Sequence, residues 1–173
     1  MIEQDILKKI EGAKKDFGPK CSKYIGALTV ELIRDEFKRE GFAVSDRDVF
    51  IKGLPIENDL MIIKPHSKPQ NRILYDNKDV LAAIEIKSRG SFSKSTMEVI
   101  RKNFDLIKRS NKKIRCLYVA LSERKTYKWK VTEENINSPA YTLFWHSGSE
   151  ENMHFESTGD WTRLVNDIRD ITI

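Results

Sequence analysis

Glu85 and Lys87 stand two positions apart at the end of an apolar run, Val80 to Ile84, in the stretch IEIKSRG. On a strand, side chains at i and i+2 share a face. The carboxylate and the ammonium are therefore neighbours, while Ile84 and Ile86 turn the other way. Burying either charge unpaired is expensive, so the pair either reaches water or serves a site. A second acid occupies the same kind of position upstream. In IENDLMII, residues 56–63, Glu57, Asn58 and Asp59 immediately precede the apolar LMII. If the two strands are neighbours, Asp59 and Glu85 converge on one point, where two carboxylates repel unless a proton or cation lies between them. Carboxylate and carbonyl oxygens suit Mg²⁺, which also keeps several waters. A nearby lysine can orient or help deprotonate a water, or face charge developing on a phosphate. Two acids and a lysine make a minimal metal-dependent phosphodiesterase site. The plain alternative is an exposed ion pair.

Asn58–Asp59 followed by Glu85-Ile86-Lys87 resembles the PD-(D/E)xK superfamily of nucleases, also called restriction-endonuclease-like, with Asn58 standing where the family carries proline. The resemblance covers residues 22–121 and includes the order helix, strands, E-x-K strand, helix, strand. It implies a Mg²⁺-dependent endonuclease acting on DNA, with Mn²⁺ as a substitute. Asp59 and Glu85 would ligate the ion together with the Ile86 carbonyl, and Lys87 would lie near the attacking water. Glu31, in ALTVELIRDEF, occupies the place of the family's helical glutamate and would hold a second ion or a water. A homodimer is compatible with the resemblance. The rival reading is a nuclease-fold module that binds nucleic acid or a protein without cutting. Every acidic and lysine position is filled, which favours the enzyme.

Glu-x-Lys alone carries little weight, because it occurs at Glu36, Glu85 and Glu123. Glu36-Phe37-Lys38 falls in a helical pattern, where i and i+2 face apart, and Glu123-Arg124-Lys125 reads as a polar loop. Only the middle copy ends a buried strand. Beside it, Ser88 and Arg89 are placed to touch phosphate. Lys128, Trp129 and Lys130 form a basic and aromatic group suited to nucleic acid, and a further basic group runs from Lys102 to Arg115. His66, His146 and His154 show no ligand spacing, and there is no glycine-rich phosphate loop.

The elements that position these residues follow from periodicity. Residues 2–16 and 22–40 read as amphipathic helices, 43–52 and 57–64 as strands in an antiparallel meander, and the polar stretch between Lys64 and Lys78 as a loop or a small excursion. Residues 79–87 form the strand bearing Glu85. A helix over 96–110, capped by Ser95 or Thr96, leads to a strand at 114–121. A strand at 141–146 and a helix at 160–171 close the chain. The 79–87 and 114–121 strands with their helix make a parallel crossover pair, so the expected fold is a single-domain α/β/α sandwich around a mixed sheet. One nuclease-like domain spans 1–173, with an N-terminal helix (1–20), a catalytic core (22–121) and a C-terminal strand and helix (122–173).

Composition fits this reading. The chain has 173 residues, 39% hydrophobic and 33% charged, with a formal charge of +5, which is compatible with a polyanionic partner. No apolar run is long enough to span a bilayer. The N-terminus lacks the apolar core of an export signal, so Cys21 and Cys116 are expected as reduced thiols in a cytoplasmic protein.

Overall fold

The structure, a computed structural model, describes residues 2–18, 21–90, 93–126, 130–149 and 153–172. It is built on helices α1 (Ile2–Phe17), α2 (Ser22–Arg39), α3 (Lys94–Ser110), α4 (Glu133–Ile136) and α5 (Asp160–Thr172). The strands are β1 (Val49–Ile51), β2 (Glu57–Asn58), β3 (Leu60–Ile63), β4 (Leu74–Tyr75), β5 (Val80–Arg89), β6 (Arg115–Arg124), β7 (Ala140–Gly148) and β8 (Met153–Ser157). Among the described residues the central sheet has the order β3-β5-β6-β7-β8. Strands β5, β6 and β7 run parallel, and β3 and β8 are antiparallel edges. The mixed sheet between helices is as expected.

Alternation along the strands feeds two cores. Leu60, Ile62, Ala82, Ile84, Ile86, Leu117 and Val119 meet α1, α2 and α5 on one face. Met61, Ala83, Cys116, Tyr118 and Ala120 meet α3 and α4 on the other. Strands β5 and β6 are buried on both faces, which is why their sequences read as nearly continuous apolar runs. Cys116 is a buried core thiol whose pKa burial pushes up to about 12, so it behaves as a small apolar residue. Trp161 stacks on Phe37 with ring centroids 5.4 Å apart. Among the described residues no helix is long and apolar enough to cross a membrane.

Several boundaries differ from expectation. The 43–52 strand shrinks to β1, because Ser45–Asp48 turns and Asp48 takes a left-handed φ of 56°. The 57–64 strand breaks at Asp59, with β2 joining a small sheet of order β2-β1-β4 and β3 entering the central one. Strand β1 pairs antiparallel with β2 but parallel with β4, so the meander is only partial, and β4 lies inside the segment read as a loop or small excursion. Helix α3 starts earlier than expected, with the Ser93 side chain accepting from the Thr96 N–H. Strands β5, β6 and β7 extend further, and β8 and α4 are additional.

The extension of β6 corrects the reading of Glu123 as a loop residue. Glu123 is 2% exposed, and its Oε2 accepts from Thr142 Oγ1 at 2.9 Å. Gly90, at the exit of β5, packs directly on it. A Cβ built there would lie 2.5 Å from Oε1 and 2.7 Å from Cδ of Glu123. Gly90→Ala is expected to cost about 1–3 kcal/mol through overpacking. Gly26→Ala, where a Cβ meets nothing within 4 Å in a helix interior, should instead gain about 0.5–1 kcal/mol. Urea unfolding of the two variants checks both signs.

Candidate active site

Strand β3 runs out before β5 does. Their ladder ends at Leu60↔Ile84, while β5 continues to Arg89. Beyond Ile84 the β3 side of β5 therefore has no strand neighbour among the described residues, and a side chain takes over. Asp59 Oδ2 accepts the Ile86 N–H at 2.6 Å. In a strand the N–H and C=O of one residue face the same neighbour, so the Ile86 carbonyl is turned to that vacated edge too. The break in strand at Asp59 is thus what brings its carboxylate to the end of β5.

The structure brings together Asp59, Glu85, Ile86 and Lys87. Lys87 Nζ lies 2.5 Å from Glu85 Oε1 and 3.9 Å from Asp59 Oδ2. The three side chains are 31, 22 and 23% exposed for Lys87, Glu85 and Asp59, so they are neither core residues nor a freely solvated surface pair. Burial, then the neighbouring Glu85 charge, pushes Asp59 up to about 6, against the opposing pull of Lys87 and the Ile86 N–H. Burial disfavours the charged Lys87, but Glu85 and Asp59 outweigh it and raise its pKa, so the ammonium persists.

Asn58, at the family's proline position, points away from this chemistry. It is buried, and its Nδ2 donates to the carbonyls of Val49 and Ile56 at 3.3 and 3.2 Å, tying down the turn that delivers Asp59. Glu31 is bound to two arginines, with Oε2 3.1 Å from Arg34 Nη1 and Oε1 3.7 Å from Arg47 Nε. Ser88 lines the cleft described below. Both Ser88 and Arg89 line a small cavity on the α1 side with Leu7, Lys14 and Phe155. Lys128 and Trp129 lie outside the described residues. Lys130 donates to the Lys125 carbonyl and sits 4.8 Å from the centre of the Trp145 ring. The Lys102–Arg115 group is divided. Lys108 is engaged by Asn137 and Ser138 of the α4 turn. Arg115 pairs in register with Ala82, at the far end of β5 and about 16 Å from Lys87 at strand rise.

A cleft of about 310 Å³ opens beside the carboxylates, walled by Gly26, Ala27 and Val30 of α2 and by Arg47, Asp48, Asp59, Ile86, Lys87 and Ser88. Arg47 and Asp48 were not singled out by motif. The signal lay in the polar run Ser45-Asp46-Arg47-Asp48, which interrupts an otherwise apolar pattern.

The donor set fits a hard divalent cation. Two half-buried carboxylates converge at one strand edge, a lysine ammonium already occupies the space between them, and a carbonyl faces the same edge. Among the described residues there is no group of three or more His, Cys, Asp and Glu side chains arranged for a metal, so waters would complete the shell, as Mg²⁺ prefers.

A pH dependence follows for the metal-free protein. Asp59 titrates at about 6 folded, against an ordinary value of 3.8, so between those values the folded state holds more protons than the unfolded. Stability is then greatest below about pH 4 as far as this group is concerned, and falls as pH rises through 6, by up to about 3 kcal/mol. In chelator, unfolding free energies at pH 5 and pH 7 should differ by about 1 kcal/mol from this group, and Asp59→Asn should remove that difference.

No protein-family model matches the sequence, and no curated protein matches it. Solved structures do match the fold. The cAAA-bound form of NucC from P. aeruginosa ATCC27853 superposes with a TM-score of 0.65 at 9% identity, over 98% of this chain and 88% of that one. The apo form of NucC from E. coli MS115-1 gives 0.54 at 10% identity, over 98% and 92%. The chain shares the fold of these structures, the restriction-endonuclease-like fold that the sequence leads one to expect.

Proposed function

We propose that this protein is a Mg²⁺-dependent endonuclease that hydrolyses phosphodiester bonds in DNA. The observation that carries the reading is the ammonium of Lys87 held between Asp59 and Glu85 at the vacated edge of β5. Its occurrence on a nuclease fold supports it. Asp59, Glu85 and the Ile86 carbonyl would hold the cation. Bound there, the ion supplies a Lewis acid and lowers the pKa of a coordinated water. Asp59, whose N–H···O bond to Ile86 fixes its carboxylate, and Glu85 keep the site's geometry while charge moves. Lys87 gives up its place between the carboxylates and turns its proton-bearing nitrogen to the cleft, where negative charge builds on the phosphate oxygens. Attack of water forms one P–O bond as another breaks, and the α2 wall keeps the backbone of the nucleic acid against β5.

The test is incubation of supercoiled plasmid with the protein in Mg²⁺, in Mn²⁺ and in chelator. Nicked or linear product should form with metal only. No product with either metal, together with an unchanged melting temperature on adding millimolar Mg²⁺, returns the chain to a binding module, because a ligand held by the native state alone must stabilise it.

A further inference from the structure

The cleft wall carries a second cation that the chemistry above leaves unused. Arg47 lines it beside Asp48, Asp59, Lys87 and Ser88. Lys87 is the cation that the chemistry above employs, and Arg47 is the other cationic side chain of that wall. Its charge contacts run through Nε, at 3.7 Å from Glu31 Oε1 and 3.4 Å from Asp48 Oδ2. Neither pair uses the terminal nitrogens, the fork that matches two oxygens of a phosphate.

The segment presenting Arg47 is built into the strand that ends in Asp59. Ser45 N–H donates to the Met61 carbonyl at 2.9 Å, and Ser45 Oγ accepts the Met61 N–H at 2.9 Å. Asp48 N–H donates to the Asp59 carbonyl at 3.3 Å. Arg34 clamps the turn from α2, donating to the Ser45 carbonyl at 2.9 Å and pairing with Asp46. Asp48 holds a left-handed backbone conformation that a non-glycine residue keeps only when its surroundings enforce it. Both oxygens of Glu31 are spoken for by guanidinium groups, Oε2 by Arg34 and Oε1 by Arg47.

We infer that Arg47 is a substrate-binding residue that grips a backbone phosphate of the nucleic acid beside Asp59 and Glu85, and that Glu31 is its positioning residue rather than a ligand of the cation. The inference rests on the nuclease reading above and assigns Glu31 a different task from the one the family resemblance implies. A cleft with Asp48 and Asp59 on its wall repels a polyanion unless cations meet it, and Arg47 is placed on a braced turn to do so.

The experiment measures binding of a fluorescent DNA duplex across a NaCl series, and the Mg²⁺-dependent rise in melting temperature, for wild type, Arg47→Ala, Arg47→Lys, Glu31→Gln and the double variant Glu31→Gln/Arg47→Ala. Arg47→Ala should weaken binding about tenfold and flatten the plot of log K against log salt by about 0.9, the signature of one lost phosphate contact. Arg47→Lys should recover the slope. Glu31→Gln should weaken binding in the same direction, and the double variant should be no worse than Arg47→Ala alone. The Mg²⁺-dependent rise should persist in every variant, which also shows that each one folds. An unaltered salt slope in Arg47→Ala overturns the inference and leaves the nuclease reading intact, as does loss of the Mg²⁺ effect in Glu31→Gln. If the wild type itself shows neither Mg²⁺ effect nor cleavage, the nuclease reading fails and this inference falls with it.

Discussion

Asp59→Asn is expected to abolish metal-dependent cleavage and yet to make the metal-free protein more stable. The two effects share one cause. At neutral pH the folded chain holds Asp59 in partial burial beside Glu85, and burial pushes the Asp59 carboxyl up to about 6. The amide keeps an oxygen to accept the Ile86 N–H but carries no charge to desolvate or to repel Glu85. A gain of about 1–2 kcal/mol at pH 7 is expected, or ~2–8 °C in melting temperature for a chain of this length. Cleavage falls by about a thousandfold or more, because a divalent ion contributes several kcal/mol to the transition state and each 1.4 kcal/mol is worth about tenfold. Melting in chelator and in Mg²⁺, beside a plasmid assay, reads all three quantities. Asp59→Asn that melts lower than wild type and still cleaves would refute the shared-cation geometry.

Lys87→Ala is expected to move the metal-free protein the other way. Its ammonium is the group that compensates Glu85 at 2.5 Å and Asp59 at 3.9 Å. Removing it leaves two carboxylates facing each other. Breaking a fully buried pair costs about 3–5 kcal/mol, and the partial exposure here reduces this to about 1–3 kcal/mol. Cleavage should drop about 10²–10³-fold, the scale of losing one electrostatic donor. Mg²⁺ should nevertheless stabilise Lys87→Ala more than wild type, because the ion no longer has to displace an ammonium. An exposed ion pair of no function would give less than about 1 kcal/mol in stability and no link to metal. Opposite stability changes in Asp59→Asn and Lys87→Ala, with activity lost in both, are the pattern to look for.

The site was legible where local spacing carries it. Glu85 and Lys87 share a face because they are two apart on a strand, and Asp59 betrays itself as an acid abutting Leu60–Ile63. The α/β/α layering was legible for the same reason, from helical periodicity and doubly buried runs such as Val80–Ile84. What the sequence withheld depends on distant partners. Strand β4 exists because Leu74 and Tyr75 pair with Phe50 and Ile51, across a polar, proline-bearing insertion that looks like loop. Glu123 lies in SERK, a string that reads as surface, and is buried because Thr142 of β7 and Gly90 at the exit of β5 close over it. Glu31 was rightly placed on its helix, but its engagement with Arg47 depends on a turn that periodicity read as strand.

The carboxylate that replaces a strand neighbour along β5 also has a colloidal consequence. An apolar strand with an open side is a template on which a second chain can add its own strand. From Ile86 onward, β5 would offer that template, flanked by Ile84 and Ile86, were it not for Asp59 capping the N–H and presenting charge to anything that approaches in the plane of the sheet. Asp59→Asn keeps the cap and removes the charge, whereas Asp59→Ala removes both. Light scattering on concentrated samples should therefore rank Asp59→Ala as the most prone to self-association, with Asp59→Asn between it and the wild type. The acid that the proposed chemistry requires would then also keep the end of the buried strand from sticking to its own kind.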